Sequence, residues 1–206
     1  MKVARLVAMT ISALALGSAL ASAAPVTYSI DKAHTEVGFE VRHFFSRVHG
    51  RFNEFSGTIV FDEQNPAAIA VDATADSKSI WTDNDQRDNH LRSHDFFAVD
   101  SFPTLSFKST KVTAAGDKKY KVAGNLTLRG VTRPVVFDGE FLGAGAVSTG
   151  GHSMGTKAGF VATTVINRKD FGINWNRVLD NGGMMLAEDV TLELNIEGNQ
   201  APATAK

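Results

Sequence analysis

A two-residue hydrophobic period, repeated from Val37 to Glu197, constrains this chain more than any other feature. At its clearest, Val190, Leu192, Leu194 and Ile196 alternate with Thr191, Glu193, Asn195 and Glu197. Successive side chains of an extended strand point to opposite faces, so such a run dictates a strand buried on one side. The same alternation runs through Val37, Phe39, Val41 and His43, and through Phe55, Gly57, Ile59 and Phe61. It returns at Ile69–Ala75, Leu105 and Phe107, Tyr120–Leu128, Val135–Phe141 and Ala158–Ile166. That makes about eight strands, most about 9 to 13 residues long. One-sided burial marks an antiparallel sheet. Strands this long in one domain suit a sheet coiled into a closed barrel, which removes exposed edges. A two-sheet sandwich is the alternative.

One segment breaks the pattern. Thr82 to Leu91 is polar and does not alternate; Thr82 or Asp83 can cap a helix with acidic residues in its first turn. Ser93-His94-Asp95 opens a second turn carrying Phe96 and Phe97, and Phe102-Pro103 closes the excursion. The expected fold is therefore mainly β, an eight-stranded antiparallel barrel with a short helical insertion between strands 3 and 4. Gly143 to Gly155 reads as a loop and Asn199 to Lys206 as a frayed tail.

The N-terminus predicts export. Lys2 and Arg5 precede an apolar stretch from Leu6 to Leu20, and Ala21-Ser22-Ala23 is a small-x-small cleavage signal. Residues 1–23 are read as a signal peptide cut after Ala23, leaving residues 24–206 as one domain. An apolar run of about 15 residues falls short of the ~20 that a spanning helix needs. The chain has no cysteine, so an exported fold must rely on its core rather than on disulfides. Thiol catalysis, iron–sulfur clusters and thiolate zinc sites are excluded with it. Without Lys2 and Arg5, the 21 basic residues fall to 19 against 22 acidic ones, a net charge of −3. That is the wrong sign for a nucleic-acid binder.

An eight-stranded barrel is filled by side chains or holds one small ligand. The inward positions here mix small residues (Gly57, Ala73, Gly124, Gly139, Ala162) with large ones (Phe39, Phe61, Phe107, Phe137, Phe160). Alternation alone leaves an apolar tunnel and an interdigitated core equally open.

Several stretches, in order, resemble the YceI-like family. They include Asp31-Lys32-Ala33-His34-Thr35, Gly38 to His43, Gly50-Arg51-Phe52 and Phe55-Ser56-Gly57. Arg87-Asp88 with His90-Leu91-Arg92-Ser93, Gly124 to Val135, and Asn167-Arg168 with Asp170-Phe171-Gly172 follow. The resemblance covers Tyr28 to about Glu197. It implies a lipocalin-like barrel, a periplasmic address, frequent homodimerisation, and a polyisoprenoid, quinone precursor or similar long-chain lipid held in the pore. It implies no catalytic residues, no metal, and no cofactor beyond the lipid. The expected partner is thus a hydrophobic lipid, with no nucleic acid, no membrane span and at most a transient membrane contact.

The expected lining is Val37, Phe39, Val41, His43, Ile59, Phe61, Phe107, Phe137, Phe160 and Ile166 from the strands. Leu91, Phe96 and Phe97 from the insertion, with Trp81, Phe171 and Trp175, complete it. His43 is a candidate head-group contact or a core histidine satisfied by the backbone. His90 and His94 are four apart but lack a third ligand and a base, so they read as solvated. Asp83, Asp85, Arg87, Asp88 and Arg92 read as a network fastening the insertion to the barrel. A packed-barrel envelope interaction protein, or an enzyme acting on an isoprenoid lipid through His43, are the competing functions.

Overall fold

The computed structural model describes residues 24–180 and 182–202; the expected signal peptide lies outside them. Eleven strand segments are assigned among the described residues. They are β1 (Val26–Ile30), β2 (Glu36–His43), β3 (Ser46–Phe52), β4 (Phe55–Phe61), β5 (Ala70–Asp76), β6 (Ile80–Trp81), β7 (Thr104–Gly116), β8 (Lys119–Leu128), β9 (Val131–Thr149), β10 (His152–Asn167) and β11 (Leu186–Gln200). Six of these are halves of three longer strands. β1 and β2 both pair with β11, β4 pairs with β1 while β3 pairs with β2, and β5 pairs with β4 while β6 pairs with β3. The result is a closed, antiparallel, eight-stranded barrel, and the β1–β11 pairing closes the ring. Closure rules out the sandwich.

Each broken strand turns at the same level of the barrel. Asp31 and Asp76 cap single 3-10 turns there, accepting from Ala33 N–H (3.0 Å) and Lys78 N–H (2.8 Å). Above that level the β5/β6 strand parts from β7, because β5 meets β7 only from Asp72 to Asp76. The insertion fills this gap with helix α1 (Asp85–Arg92) and the turns after it. Arg92 ties it down by donating to Lys78 O (2.9 Å) and Ile80 O (2.7 Å). Buried Asp88 accepts from Thr82 N–H (2.9 Å), and Arg87 Nε donates to the Thr82 hydroxyl (2.7 Å). Arg87, Asp88 and Arg92 thus form the expected fastening network, whereas Asp83 and Asp85 stand exposed outside it. The helix cap is Asn84, whose side chain accepts from Arg87 N–H (2.9 Å), rather than Thr82 or Asp83. Thr82 is committed to Asp88, and Asp83 turns the chain at φ 61.

Two other expectations need correction. Residues 143–155 form the end of a long β9–β10 hairpin, not a loop. Glycines at positive φ, Gly143 (140) and Gly155 (79), absorb its irregular register while pairing continues to His152↔Thr149. Asn199 and Gln200 are strand residues paired with Ser29 and Tyr28. The strand Val26–Ile30 does alternate, Val26, Tyr28 and Ile30 against exposed Thr27 and Ser29, but it is only five residues long and is not among the expected strands.

The interior divides into two. Toward one pole, Tyr28, Ile59, Phe61, Ile69, Val112, Tyr120 and Phe141 are all buried, with Phe160 against them. The Phe61 ring lies 4.4 Å from Phe141 and 5.2 Å from Phe160. This pole is packed shut, leaving a void of about 80 Å³. Small residues here are niches for rings. A Cβ on Gly124 would stand 2.4 Å from Phe107 Cζ. Gly124→Ala is therefore expected to destabilise the barrel by about 1–3 kcal/mol, seen as a lower urea midpoint at unchanged m-value.

The β1–β2 break is held by charge. His34, Ala33 N–H and Lys157 surround the Asp31 carboxylate, and the His34 hydrogen bond does most to keep its pKa well below the usual range. A depressed carboxylate pKa gives stability above the unfolded value, lost as pH falls through the folded one. Acid unfolding below about pH 4 should therefore steepen with Asp31 present and flatten in Asp31→Asn; a pH series of thermal melts would measure this.

Candidate functional site

The other half of the barrel is hollow. A cavity of about 570 Å³ opens between α1, the β2–β3 turn and the segment leading into β11. That volume falls within the range of small-molecule sites. Its walls are mostly apolar, made by Phe39, Val41, Val48 and Phe52 from β2 and β3, Leu105 and Leu128 from β7 and β8, and Ile166, Val190 and Leu192 from β10 and β11. These are the same alternating positions that make the strands amphipathic. Exposed Asn84 and Gln86 stand at the rim with His43.

The charged side chains lining the cavity are Arg87 and Arg168, with no carboxylate among them. Arg168 is 4% exposed, and its Nε and Nη1 donate to Ala187 O (2.9 Å), Ile173 O (2.7 Å) and Trp175 O (2.8 Å). It thereby clamps the 172–187 segment over the barrel end. Burial lowers its pKa, against the pull of Glu188. Trp175, positioned by this clamp, packs 4.8 Å from the His90 ring and 5.2 Å from Phe96. His90 in turn meets Asp95 at 2.8 Å.

Of the expected lining, Phe39, Val41, His43, Leu91, Phe96, Phe97, Ile166 and Trp175 converge on this cavity. Ile59, Phe61, Phe107, Phe137 and Phe160 line the small void of the shut pole instead. Val37 and Phe171 are core packing around the cavity. Trp81 lies elsewhere, partly exposed on the outer face with the Arg51 guanidinium 4.4 Å above its ring. Its β6 segment is two residues long, so Ile80 takes the inward position and Trp81 the outward one. Sequence reasoning did not place Arg87, Arg168, Ile173 or Met185 in the lining. The first two read as fastening or end-of-strand groups, and the last two lie where no periodicity operates.

The His43 ring packs edge-on against Phe44, at 4.3 Å, and the imidazole makes no hydrogen bond among the described residues, although the His43 carbonyl accepts from the Ser46 hydroxyl (3.2 Å). His43 stands in the cavity wall beside Val41, Met185 and Leu186. Asp31, His34 and Glu197 have ligand atoms within 4.8 Å of one another. Lys157 already occupies that cluster, 3.3 Å from Asp31 and 2.9 Å from Glu197.

A family model described as the YceI-like domain matches residues 28–198. The chain belongs to the YceI-like family. A UPF0312 protein of Pseudomonas aeruginosa is 42% identical over 195 residues, covering 92% of this chain and 96% of that one. A Vibrio vulnificus UPF0312 protein is 40% identical over 195 residues, covering 91% and 97%. Among solved structures, the Campylobacter jejuni YceI protein superposes with a TM-score of 0.67 at 32% identity, covering 84% of this chain and 96% of that one. A polyisoprenoid binding domain from Saccharophagus degradans shares the YceI-like fold at a TM-score of 0.63 and 13% identity, covering 85% and 99%. The family's barrel thus frames the cavity described above.

Proposed function

We propose that this protein is a periplasmic carrier or store for a polyisoprenoid, an isoprenoid-quinone precursor or a similar long-chain lipid. The half-hollow barrel carries this reading: an apolar cavity of about 570 Å³, open at one end and shut by packed aromatic rings at the other. Such a blind pocket takes the tail, and each methylene removed from water contributes about 0.8 kcal/mol without a specific polar contact. The polar rim of Asn84, Gln86 and His43, with Arg87 and Arg168 on the wall, leaves the head near the opening. The fold shared with a polyisoprenoid binding domain supports the same class of ligand. Cleavage after Ala23 and release to the periplasm complete the proposal. Mass spectrometry of organic extracts from the purified protein tests it. A prenyl or other long-chain lipid is expected; a lipid-free protein that also ignores added prenyl lipids would overturn the reading.

A further inference from the structure

The rim of the cavity carries apolar side chains that the barrel does not bury. Phe45 is fully exposed (102%) at the tip of the two-residue turn between β2 and β3. On the neighbouring loop, Val178 (64% exposed) and Met184 (46%) face each other across an isolated bridge. A backbone bond from Phe44 N–H to Met185 O (2.9 Å) ties the two turns together. Their inward neighbours His43, Met185 and Trp175 line the cavity. One apolar surface therefore runs from the cavity wall out over its lip.

The turn is built at some expense. Phe44 adopts φ 51, a region that bulky residues avoid and that glycine or asparagine would fill more readily. Arg42 Nη1 fixes it by donating to Phe44 O (2.9 Å). Charge completes the surface. Arg42 and Arg177, both exposed, flank the apolar tip, and neither forms an ion pair among the described residues. Arg47 is engaged with Glu40 and Lys169 with Glu188; the remaining acidic groups are Asp180 of the 178–184 loop and Asp189, which shares a surface groove with Arg42 and Met184. An apolar tip flanked by unpaired arginines matches an anionic lipid surface, where rings enter the acyl boundary and guanidinium groups meet headgroup phosphates.

We infer that this lip docks the protein on an anionic bilayer, with Phe45 entering the lipid. The inference rests on the lipid-holding function proposed above. A long prenyl chain would then pass from bilayer to cavity along a continuous apolar path instead of through water.

The test is sedimentation of the mature protein with vesicles of phosphatidylethanolamine and phosphatidylglycerol in equal parts, against vesicles of phosphatidylcholine alone. Prenol uptake from detergent is measured in parallel. The wild type is expected to partition to the anionic vesicles, more weakly to phosphatidylcholine, and less at high salt. Phe45→Ser should reduce partitioning about tenfold, the loss of one shallowly inserted ring, with prenol uptake from detergent unchanged. Val178→Ser combined with Met184→Ser should reduce it from the second turn, keeping the test independent of any one loop. Wild type that takes up prenol but ignores both vesicles would overturn docking and leave the storage function standing. Equal partitioning of Phe45→Ser and wild type would also overturn it. Vesicle binding that falls in both variants, without prenol uptake, would support docking while removing the storage function.

Discussion

Tryptophan at both Val41 and Leu192 is expected to empty the cavity of lipid while leaving the barrel folded. The two residues sit on adjacent strands, where Val41 pairs with Val190 and Leu192 with Phe39, and both side chains line the 570 Å³ cavity. Small-to-large changes in a packed core cost about 1–3 kcal/mol through strained neighbours. Here each indole has open space to enter, and neither residue is fully buried, so most of that penalty is avoided. The ligand bears the loss. Two indoles displace about four methylenes of tail, or ~3 kcal/mol at 0.8 each, a roughly hundredfold weaker complex. Prenol titration and extraction mass spectrometry would read the affinity and occupancy, and a thermal melt would confirm the fold. Wild-type occupancy in the double variant would place the ligand outside the cavity.

How much of this site was visible in the sequence follows from what periodicity reports. Val190, Leu192, Leu194 and Ile196 mark a one-faced strand, and Leu192 does face the hollow. Alternation separates the two faces of a strand but carries no coordinate along the barrel axis. Phe39 and Phe61 are both inward, yet one lines the open cavity and the other shuts the opposite pole. That difference arises from which rings meet across the barrel, through contacts between residues distant in sequence. Trp81 shows the converse. A two-residue strand has no repeat to establish its face, and the residue that looked apolar stacks outward on Arg51. Arg168 was visible as a residue of the Asn167–Gly172 motif, but its burial was not. Three backbone carbonyls spread over residues 173–187 accept its donors, and that clamp exists only in the folded chain. Positions 143–155 misled for a local reason: glycine is depleted in strands because it weakens them, yet at positive φ it lets a long hairpin shift register without ending.

Phe107→Ala is expected to join the two voids and lengthen the chain the barrel accepts. Phe107 lines the small void, whereas Leu105, two residues earlier on the same face, lines the large one. Its ring packs edge-on against Phe137 at 5.1 Å and occupies the niche over Gly124, so it stands at the boundary between hollow and packed halves. Truncation removes these contacts and should cost about 3–5 kcal/mol, read as a fall in the urea midpoint. The same deletion opens the route toward the 80 Å³ void, and lipids bound by the variant should shift to longer chains in extraction mass spectrometry. A partial refill separates the two effects. A side chain grown from Gly124 cannot supply it, because its Cβ would stand 2.6 Å from Lys108 O, so Phe107→Leu keeps a smaller apolar group on β7 over the same glycine. Part of the stability and of the shorter chain-length distribution should return together. A Phe107→Ala protein that is less stable yet binds the wild-type distribution would show that the length limit lies elsewhere, with the Phe61–Phe141–Phe160 cluster the next barrier along the axis.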